Sequence, residues 1–347
     1  MKFPFERIAV VRLGAIGDTV NVLPFVNRLR RGAPAARITW VIGTKAYPLM
    51  RGHPAVDEFV VFDAGRPRTW PGFLRELRGR RFDLAIDLQR IAKSGLIALA
   101  SGAPVRLGFD RARCKEASWV FANRRIPPNP APGVTVEQYL EFAEWLGLPP
   151  APLEWRVPHA PQPGPAAGET RVVLSLGASR AAKLWYAEHW TWLAQRVARE
   201  LGASVHLVGG PGDRTIADEV VARSGVPLVD HVGRTSLPET AGWIAGAHLL
   251  VGCDSGPLHI AAGLGVPCVA LFGATNPRRS APLVARRAVV TNSTPCSPCM
   301  RRTCNVAGHP CMRDLSPDAV FESVRGLLAR EPEASLGAGS SARREAR

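Results

Sequence analysis

The sequence has no long uninterrupted apolar run. No stretch approaches the roughly 18 residues that cross a bilayer. The start of the chain carries an acid and leads into a strand pattern instead of the apolar core of a signal peptide. We therefore expect a cytoplasmic protein. Its 347 residues, 46% hydrophobic and 21% charged, suffice for two globular domains with separate cores.

Lysine is scarce, because five of the 44 basic residues are lysine and the others are arginine. With 29 acidic residues, the formal net charge is +15. The arginines are scattered along the chain without a dense cluster. The excess of positive charge favours an anionic partner, which could be nucleic acid, an anionic membrane face or a phosphorylated substrate. Charge alone does not choose among these.

Three nucleotide-site signatures are missing, since the sequence contains no G-x-G-x-x-G, no Walker A loop and no D-x-D. The first absence counts against a dinucleotide-dependent oxidoreductase, in which that glycine pattern holds the pyrophosphate. The last absence removes the usual way in which a sugar transferase pins a metal ion on its donor. Lysine side chains and helix N-termini would then supply the positive charge that a metal ion otherwise provides.

Short apolar runs alternate with helix-compatible stretches along the chain. This order predicts an α/β protein with parallel strands joined by crossover helices. In the first half the runs are RIAVVRLG (7–14), RITWVIG (37–43), EFVVFD (58–63) and FDLAIDL (82–88). In the second half they are RVVLSLG (171–177), SVHLVGG (204–210), AHLLVG (247–252) and PCVALFG (267–273).

A proline- and glycine-rich stretch over residues 148–168 interrupts this alternation. Neither a helix nor a strand is sustained by that composition, so we place the domain boundary there. The prediction is a Rossmann-like domain over residues 1–155 and a second one over residues 156–330, facing each other across a cleft. Residues 331–347 are small and charged and are predicted to be a disordered tail.

Polar residues follow the predicted strands at four turns, and in parallel sheets such turns meet at the edge where ligands bind. After the first strand come Gly14 and Gly17, which permit a tight turn, and Asp18, a candidate base that is equally typical of a helix N-cap. After the fifth predicted strand come Ser179 and Lys183. The lysine is either a ligand-facing cation or a solvated charge at a helix end.

The other two turns are rich in glycine. Asp213 is placed to accept hydrogen bonds from ribose hydroxyls or to cap a helix. Asp254 and Ser255 precede a helix expected near Pro257, whose free N–H groups suit an anion. His259, one turn inside that helix, is a ligand or a packed side chain. Phosphate and ribose chemistry in one domain and a carboxylate in the other suit group transfer from a nucleotide-linked donor.

Four segments together resemble, in order and spacing, the motifs of glycosyltransferase family 9, the lipopolysaccharide heptosyltransferases: GDTVNVLPFVNRLRR (17–31), DLQRIAKSG (87–95), GASRAAKLWYAEHW (177–190) and GCDSGPLHIAAGLGVPCVALFGATNP (252–277). The resemblance spans about residues 7–320. It implies a GT-B fold, with ADP-heptose held by the C-terminal domain. The implied reaction is an inverting transfer of heptose to Kdo–lipid A or heptosyl-Kdo in the lipopolysaccharide inner core, with no required cofactor.

Within this resemblance, Asp18 matches the general base that takes the proton of the acceptor hydroxyl. Lys183 matches a lysine that faces the donor diphosphate. Ser179 stands where a hydroxyl contacts the donor, although Ala178 replaces a second hydroxyl. Asp213 matches an acidic residue near the ribose. Six residues stand where the family has the donor-binding pattern Asp-Thr-Gly-Leu-x-His: Asp254, Ser255, Gly256, Pro257, Leu258 and His259.

The resemblance also extends to the acceptor side of the first domain, where Gln89, Lys93 and Ser94 and the following arginines form a basic lining. An exposed basic helix face explains these residues equally well. The implied partners are ADP-heptose, an anionic lipid-linked saccharide and the inner face of the cytoplasmic membrane, without nucleic acid. Two other function classes stay open, namely a Rossmann-type nucleotide-dependent oxidoreductase and a basic nucleic-acid-binding protein.

Four cysteines lie within a short span together with His309: Cys296, Cys299, Cys304 and Cys311. A C-x-x-C pair with two further cysteines is a fair zinc or iron–sulfur pattern, and a cytosolic context argues against structural disulfides. The alternatives are reduced, packed thiols and a redox role. The chemistry implied by the resemblance needs none of the three.

Overall fold

The computed structural model describes residues 3–329. It contains two sheets of six parallel strands, which confirms the α/β architecture predicted from the alternating runs. Each of the eight predicted runs contains a strand. The predicted tail, residues 331–347, lies outside the described residues. Within residues 3–329, none of the helices combines the length and the apolar composition that crossing a membrane requires.

The first half of the chain forms one sheet with its helices. Its strands are β1 (Arg7–Val11), β2 (Arg37–Gly43), β3 (Glu58–Phe62), β4 (Leu84–Asp87), β5 (Val105–Gly108) and β6 (Arg124–Arg125). Its helices are α1 (Ile16–Gly32), α2 (Tyr47–Met50), α3 (Trp70–Gly79), α4 (Ala92–Ala100) and α5 (Thr135–Trp145), with 3₁₀ turns at Pro67–Thr69 and Ser118–Phe121.

The second half repeats this arrangement. Its strands are β7 (Arg171–Ser175), β8 (Ser204–Val208), β9 (Leu228–Asp230), β10 (Leu249–Cys253), β11 (Cys268–Phe272) and β12 (Arg287–Thr291). Its helices are α6 (Ala187–Leu201), α7 (Arg214–Ser224), α8 (Leu237–Ala245), α9 (Gly256–Gly263), α10 (Pro277–Ser280), α11 (Pro310–Arg313) and α12 (Pro317–Leu328), with 3₁₀ turns at Ala181–Lys183 and Pro211–Asp213.

Both sheets have the same topology. The strand orders are β3-β2-β1-β4-β5-β6 and β12-β11-β10-β7-β8-β9. In each sheet the chain runs outward from a central strand and then returns to the other side of that strand. A crevice therefore opens at the carboxyl ends of β1 and β4 in one sheet and of β7 and β10 in the other. Three of the four polar turns follow these strand ends, after β1, β7 and β10, and the Asp213 turn follows the neighbouring strand β8.

Residues 148–170 join the two halves and contain neither helix nor strand, as their prolines and glycines predict. The segment is packed against both halves. Asn27 Nδ2 donates to Glu154 O at 2.7 Å, and Ala160 N donates to Pro238 O at 3.0 Å. The domain division after residue 155 stays a prediction.

Helix α1 of the first half packs against α9 of the second. Val20 on α1 and Leu258 and Ile260 on α9 are fully buried in one apolar cluster. The helices approach closely at a glycine, since a Cβ atom on Gly263 would lie 3.1 Å from Val20 Cγ1. The shared core therefore fixes the start of α1 beside the start of α9, where two of the predicted polar turns lie.

Candidate active site

Asp18 lies in the first turn of α1, at the carboxyl edge of the first sheet. Its carboxylate pairs with the guanidinium of Arg12, the residue that directly follows β1. The Arg12 side chain is 6% exposed, whereas that of Asp18 is 33% exposed. Arg12 Nη1 also donates to Leu88 O at 2.9 Å. The buried arginine thus fixes a carboxylate that remains accessible from the cleft.

Three polar side chains at this edge were not predicted from the sequence: Arg12, Tyr139 and Asp87. The Arg12 guanidinium carbon lies 5.8 Å from the centre of the Tyr139 ring. Burial raises the pKa of Tyr139 to about 12 and that of Asp87 to about 6. Among the described residues, the Tyr139 hydroxyl has no hydrogen-bond partner. The only sequence signal for Arg12 is a charge placed directly after an apolar strand.

Lys183, Asp254 and His259 form one contact group at the carboxyl edge of the second sheet. Lys183 Nζ donates to Asp254 Oδ2 at 2.8 Å and to Asp254 O at 2.9 Å. His259 Nε2 lies 3.6 Å from Asp254 Oδ1. Burial alone would raise the pKa of Asp254, but His259 and Lys183 hold that pKa well below its usual range. The predicted donor residues therefore include a buried carboxylate that fixes a cation.

The first turn of α1 touches this group. A Cβ atom on Gly17 would lie 2.5 Å from His259 Cδ2, and one on Gly256 would lie 3.0 Å from Ile16 Cγ2. The absence of a side chain at Gly17 and at Gly256 permits this approach. Asp18, the predicted base, therefore follows directly after a residue that contacts the predicted donor loop.

Asp213 caps its own turn. Its Oδ2 accepts a hydrogen bond from Gly210 N at 2.8 Å. The carboxylate fills the space beside Gly177, where a Cβ atom would lie 2.0 Å from Asp213 Oδ2. The capping alternative that the sequence left open is thus present in the structure. The predicted contact with ribose stays a prediction.

The two predicted donor-contacting hydroxyls have different surroundings. Ser179 is exposed in the loop after β7. Ser255 immediately precedes α9, which begins at Gly256, and in the part of the chain that the structure describes its buried Oγ has no hydrogen-bond partner. Because a buried hydroxyl without a partner is costly, a ligand or water is expected there. Ser255 is therefore the better placed of the two to bind a donor.

Gln89, Lys93 and Ser94, the predicted acceptor residues, do not form one surface. Gln89 Oε1 accepts from Leu13 N at 2.6 Å and so braces the loop that leads to Asp18. Lys93 is exposed on α4. Ser94 is fully buried, and its hydroxyl donates to Ile91 O, just before the helix. Contact with an acceptor stays a prediction, which the environment of Lys93 suits better than that of Ser94.

Arginines from both halves line a cleft of about 330 Å³. Burial lowers the pKa of Arg90, and the charges of Arg279 and Arg12 act in the same direction. Thr135 Oγ1 donates to Arg279 O at 2.9 Å and so joins the two walls. The crowded positive charge is complementary to an anion. The polar lining comprises Arg90, Arg113 and Gln138 from the first half and Asn276, Arg278 and Arg279 from the second.

The cysteines are near one another but are present as free thiols. Cys311 is buried, and burial, followed by the proximity of Cys296, Cys304 and Cys299, raises its pKa to about 11. Across residues 3–329, no group of three or more histidine, cysteine, aspartate or glutamate side chains is arranged to hold a metal ion. Cys311 is thus a packed thiol, whereas Cys296, Cys299 and Cys304 are half-buried.

Comparison with known sequences assigns the chain to a family. Residues 71–309 match the family described as Glycosyltransferase family 9 (heptosyltransferase). The Lipopolysaccharide core heptosyltransferase OpsX of Haemophilus influenzae is 27% identical over an alignment of 288 residues, which covers 80% of this chain and 82% of that protein. Lipopolysaccharide heptosyltransferase 2 of Escherichia coli is 26% identical over 354 residues, with 94% of this chain and 99% of the relative covered.

Solved structures show the same fold. The glycosyl transferase family 9 from Veillonella parvula superposes with a TM-score of 0.79 at 24% identity, over 93% of this chain and 97% of that one. E. coli heptosyltransferase WaaC with ADP superposes with a TM-score of 0.75 at 23% identity, over 92% and 99% of the two chains. These superpositions confirm the predicted GT-B fold.

Proposed function

The chain belongs to glycosyltransferase family 9, and on that basis we propose that it is an inverting heptosyltransferase of the lipopolysaccharide inner core. Its donor is ADP-L-glycero-D-manno-heptose and its acceptor is Kdo–lipid A or heptosyl-Kdo. The observation that carries this proposal is the approach of the Asp18 turn to the Lys183–Asp254–His259 group. Relatives named as heptosyltransferases, including WaaC solved with ADP and with ADP-2-deoxy-2-fluoro heptose, support the choice of donor.

The second half of the chain holds the donor in this mechanism. Ser255 Oγ and the free N–H groups at the start of α9 face the diphosphate, and Lys183 supplies a fixed positive charge beside it. When the bond between the anomeric carbon and the diphosphate oxygen breaks, its electron pair stays on ADP. Lys183 stabilises that negative charge. Asp254 contributes by holding Lys183 in place.

The first half supplies the base. As the acceptor hydroxyl attacks the anomeric carbon from the face opposite ADP, Asp18 accepts its proton, and the configuration inverts. Arg12 fixes the Asp18 carboxylate for this step. A general base in such a position contributes roughly 10²–10⁴-fold to the rate. No metal cofactor is needed, because the sequence has no D-x-D and Lys183 with the α9 N-terminus meets the charge of the leaving group.

The arginine-lined cleft receives the acid groups of the acceptor. Arg90 on one wall and Arg278 and Arg279 on the other present planar donor pairs that match a carboxylate or a phosphate. The charges of Arg12 and Asp18 act on Arg90, so the cleft lies close to the proposed base. An anionic sugar bound there would bring its hydroxyl towards Asp18.

An exposed apolar surface on the first half suits a membrane-bound acceptor. Leu96 and Leu99 lie one turn apart on α4 and are 51% and 44% exposed, and Val120 is 52% exposed. Phe121 packs on α4, since a Cβ atom on Gly95 would lie 2.5 Å from Phe121 Cδ2. Val120 thus lies in a 3₁₀ turn that packs against α4, and we call Leu96, Leu99 and Val120 the apolar patch.

Exposed basic side chains occur on α4 and in the segments before and after the 3₁₀ turn that carry the apolar patch. Four of these residues are Lys93, Lys115, Arg124 and Arg125. The guanidinium of Arg111 lies 4.7 Å from the ring centre of Trp119, the residue before Val120. Apolar side chains that enter the headgroup region, surrounded by cations that meet lipid phosphates, are what peripheral binding to an anionic membrane requires. The enzyme is thus proposed to work on the cytoplasmic face of the inner membrane.

Transfer is tested by incubating the protein with ADP-heptose and either Kdo–lipid A or heptosyl-Kdo–lipid A, with EDTA present and no added metal. Mass spectrometry follows the acceptor and chromatography follows ADP. The proposal predicts one added heptose per ADP released with one of the two acceptors. Transfer from a UDP- or GDP-linked sugar, with none from ADP-heptose, would refute the donor assignment while leaving the fold intact.

A further inference from the structure

The residue before Lys183 is hydrogen-bonded through both of its backbone groups to the cysteine segment, which we define as residues 294–312. Ala182 N donates to Arg302 O at 3.1 Å. Ala182 O accepts a hydrogen bond from His309 Nε2 at 3.0 Å. Ala182 itself is buried. The 3₁₀ turn that carries Lys183 is therefore held from outside by the cysteine segment.

His309 is oriented by a second contact. Its Nδ1 lies 3.3 Å from Tyr186 Oη. Because the carbonyl of Ala182 can only accept, Nε2 carries the proton of that hydrogen bond. The Arg313 guanidinium lies 4.4 Å from the centre of the Tyr186 ring and stacks on its face. His309 is thus fixed as a hydrogen-bond donor aimed at the Lys183 turn.

The cysteine segment is also anchored to the end of β11. Ser297 Oγ donates to Gly273 O at 2.6 Å, and Met300 N donates to Ala274 O at 2.7 Å. A Cβ atom on Gly273 would lie 2.9 Å from Cys311 Sγ, so the segment packs closely there. It therefore links a rigid strand end to the Lys183 turn.

We propose that His309 is a positioning residue for the donor site. Through Ala182 it holds the Lys183 backbone, and so places Nζ against Asp254, where it faces the donor diphosphate. A lysine side chain is long and flexible, with a four-carbon stem. A fixed backbone reduces the conformational freedom that Lys183 loses when the donor binds. The choice of ADP as the ligand in this inference rests on the proposed function, whereas the hydrogen bonds that hold the Lys183 turn do not depend on it.

The test is a double-mutant cycle on ADP affinity, measured by calorimetry with the full-length protein. His309→Ala is expected to weaken ADP binding about tenfold, which corresponds to the loss of one hydrogen bond to a buried group. Lys183→Ala is also expected to weaken ADP binding. In the Lys183→Ala background, His309→Ala is expected to add less than about twofold, because it acts through Lys183. Fully additive losses would overturn the inference.

Two further variants separate positioning from general stability. His309→Gln retains an N–H donor and is expected to recover most of the affinity that His309→Ala loses. His189 lies on α6, and its ring centre lies 5.1 Å from that of Trp185 in a tilted arrangement. His189→Gln is therefore a matched control that should keep the wild-type affinity. Equal losses in His309→Gln and His309→Ala would contradict the assigned role.

A measurement that does not use ADP distinguishes this inference from the proposed function. Acylation of the Lys183 amine by an N-hydroxysuccinimide ester is followed by peptide mass spectrometry. In the wild type the Lys183 side chain is only 12% exposed and its amine is paired with Asp254, so we expect its acylation to be slow. His309→Ala is expected to accelerate it and His189→Gln is not. An unchanged rate in His309→Ala would overturn the inference, whereas failure of the wild type to bind ADP would count against the proposed function alone.

Discussion

Gly17 lies directly against the imidazole of His259, so that a Cβ atom at residue 17 would be only 2.5 Å from His259 Cδ2. Gly17 belongs to the first half of the chain and His259 to the second. His259 is buried beside Asp254 and has little room to move. This single contact brings the predicted base next to the predicted donor loop.

Gly17→Ala is therefore expected to push α1 away from α9. Such overpacking typically costs about 1–3 kcal/mol of unfolding free energy, and the transfer rate should fall because Asp18 moves with the helix. Gly72→Ala is the matched control, since Gly72 lies near the start of α3 with open space around it. Urea unfolding and the transfer assay check both variants. Equal stability and rate in the two would contradict the close contact.

Asp18→Asn is expected to lower the transfer rate by roughly 10²–10⁴-fold, because the amide cannot accept the proton of the acceptor hydroxyl. ADP affinity should stay unchanged, since Asp18 lies on the acceptor side. Steady-state kinetics and calorimetry measure the two quantities. Asp63→Asn, in the loop after β3, serves as the control. A wild-type rate in Asp18→Asn would show that another group is the base.

Lys183→Ala is expected to weaken ADP binding and to slow transfer, because the cation beside the diphosphate is lost. It also leaves Asp254 as a buried carboxylate without its ammonium partner, which typically costs about 3–5 kcal/mol of stability. Adding Asp254→Asn should restore part of that stability but not ADP affinity. Lys45→Ala, at an exposed site, is the control. If Lys183→Ala kept wild-type ADP affinity, the donor-site assignment would fail.

The sequence predicts those strands whose burial is visible as a continuous run of apolar residues. The central strands β1, β4, β7 and β10 are buried on both faces and therefore appear as continuous apolar runs. The apolar pattern did not indicate four strands that are partly or fully exposed, namely β5, β6, β9 and β12.

The candidate site was predictable where residues follow a strand end, as Asp18, Lys183 and Asp254 do. It was not predictable where a role depends on a distant segment. Arg12 is buried only because β4 and α5 cover it, and nothing local reveals that Arg279 faces Arg90 across the cleft.

Asp87→Asn tests the electrostatics behind the site. Burial raises the folded-state pKa of Asp87 to about 6, above its unfolded value of 3.8. The protonated Asp87 carboxyl therefore makes its full contribution to the unfolding free energy below about pH 4, and this contribution is lost as the pH rises through about 6. At pH 8 the asparagine variant should exceed the wild type in unfolding free energy by up to about 3 kcal/mol, and near pH 4 the two should agree. Urea unfolding at both pH values measures this difference, and a pH-independent difference would contradict the raised pKa.

The apolar patch is tested by vesicle sedimentation. The double variant Leu96→Glu and Leu99→Glu should lose binding to vesicles that contain phosphatidylglycerol, because carboxylates neither enter the headgroup region nor approach anionic lipid. Val221→Glu with Val229→Glu is the matched control, since these residues are 42% and 43% exposed on the second half. Wild-type binding by the Leu96 and Leu99 variant would rule out this surface.

The most direct test of the central claim is a calorimetric titration of the purified protein with ADP, UDP, GDP and NAD⁺, first without metal and then with magnesium. The proposed heptosyltransferase should bind ADP in preference to the other three nucleotides, and added magnesium should not be required. A preference for UDP or GDP would contradict the donor assignment. Binding of NAD⁺ alone would contradict the transferase function itself.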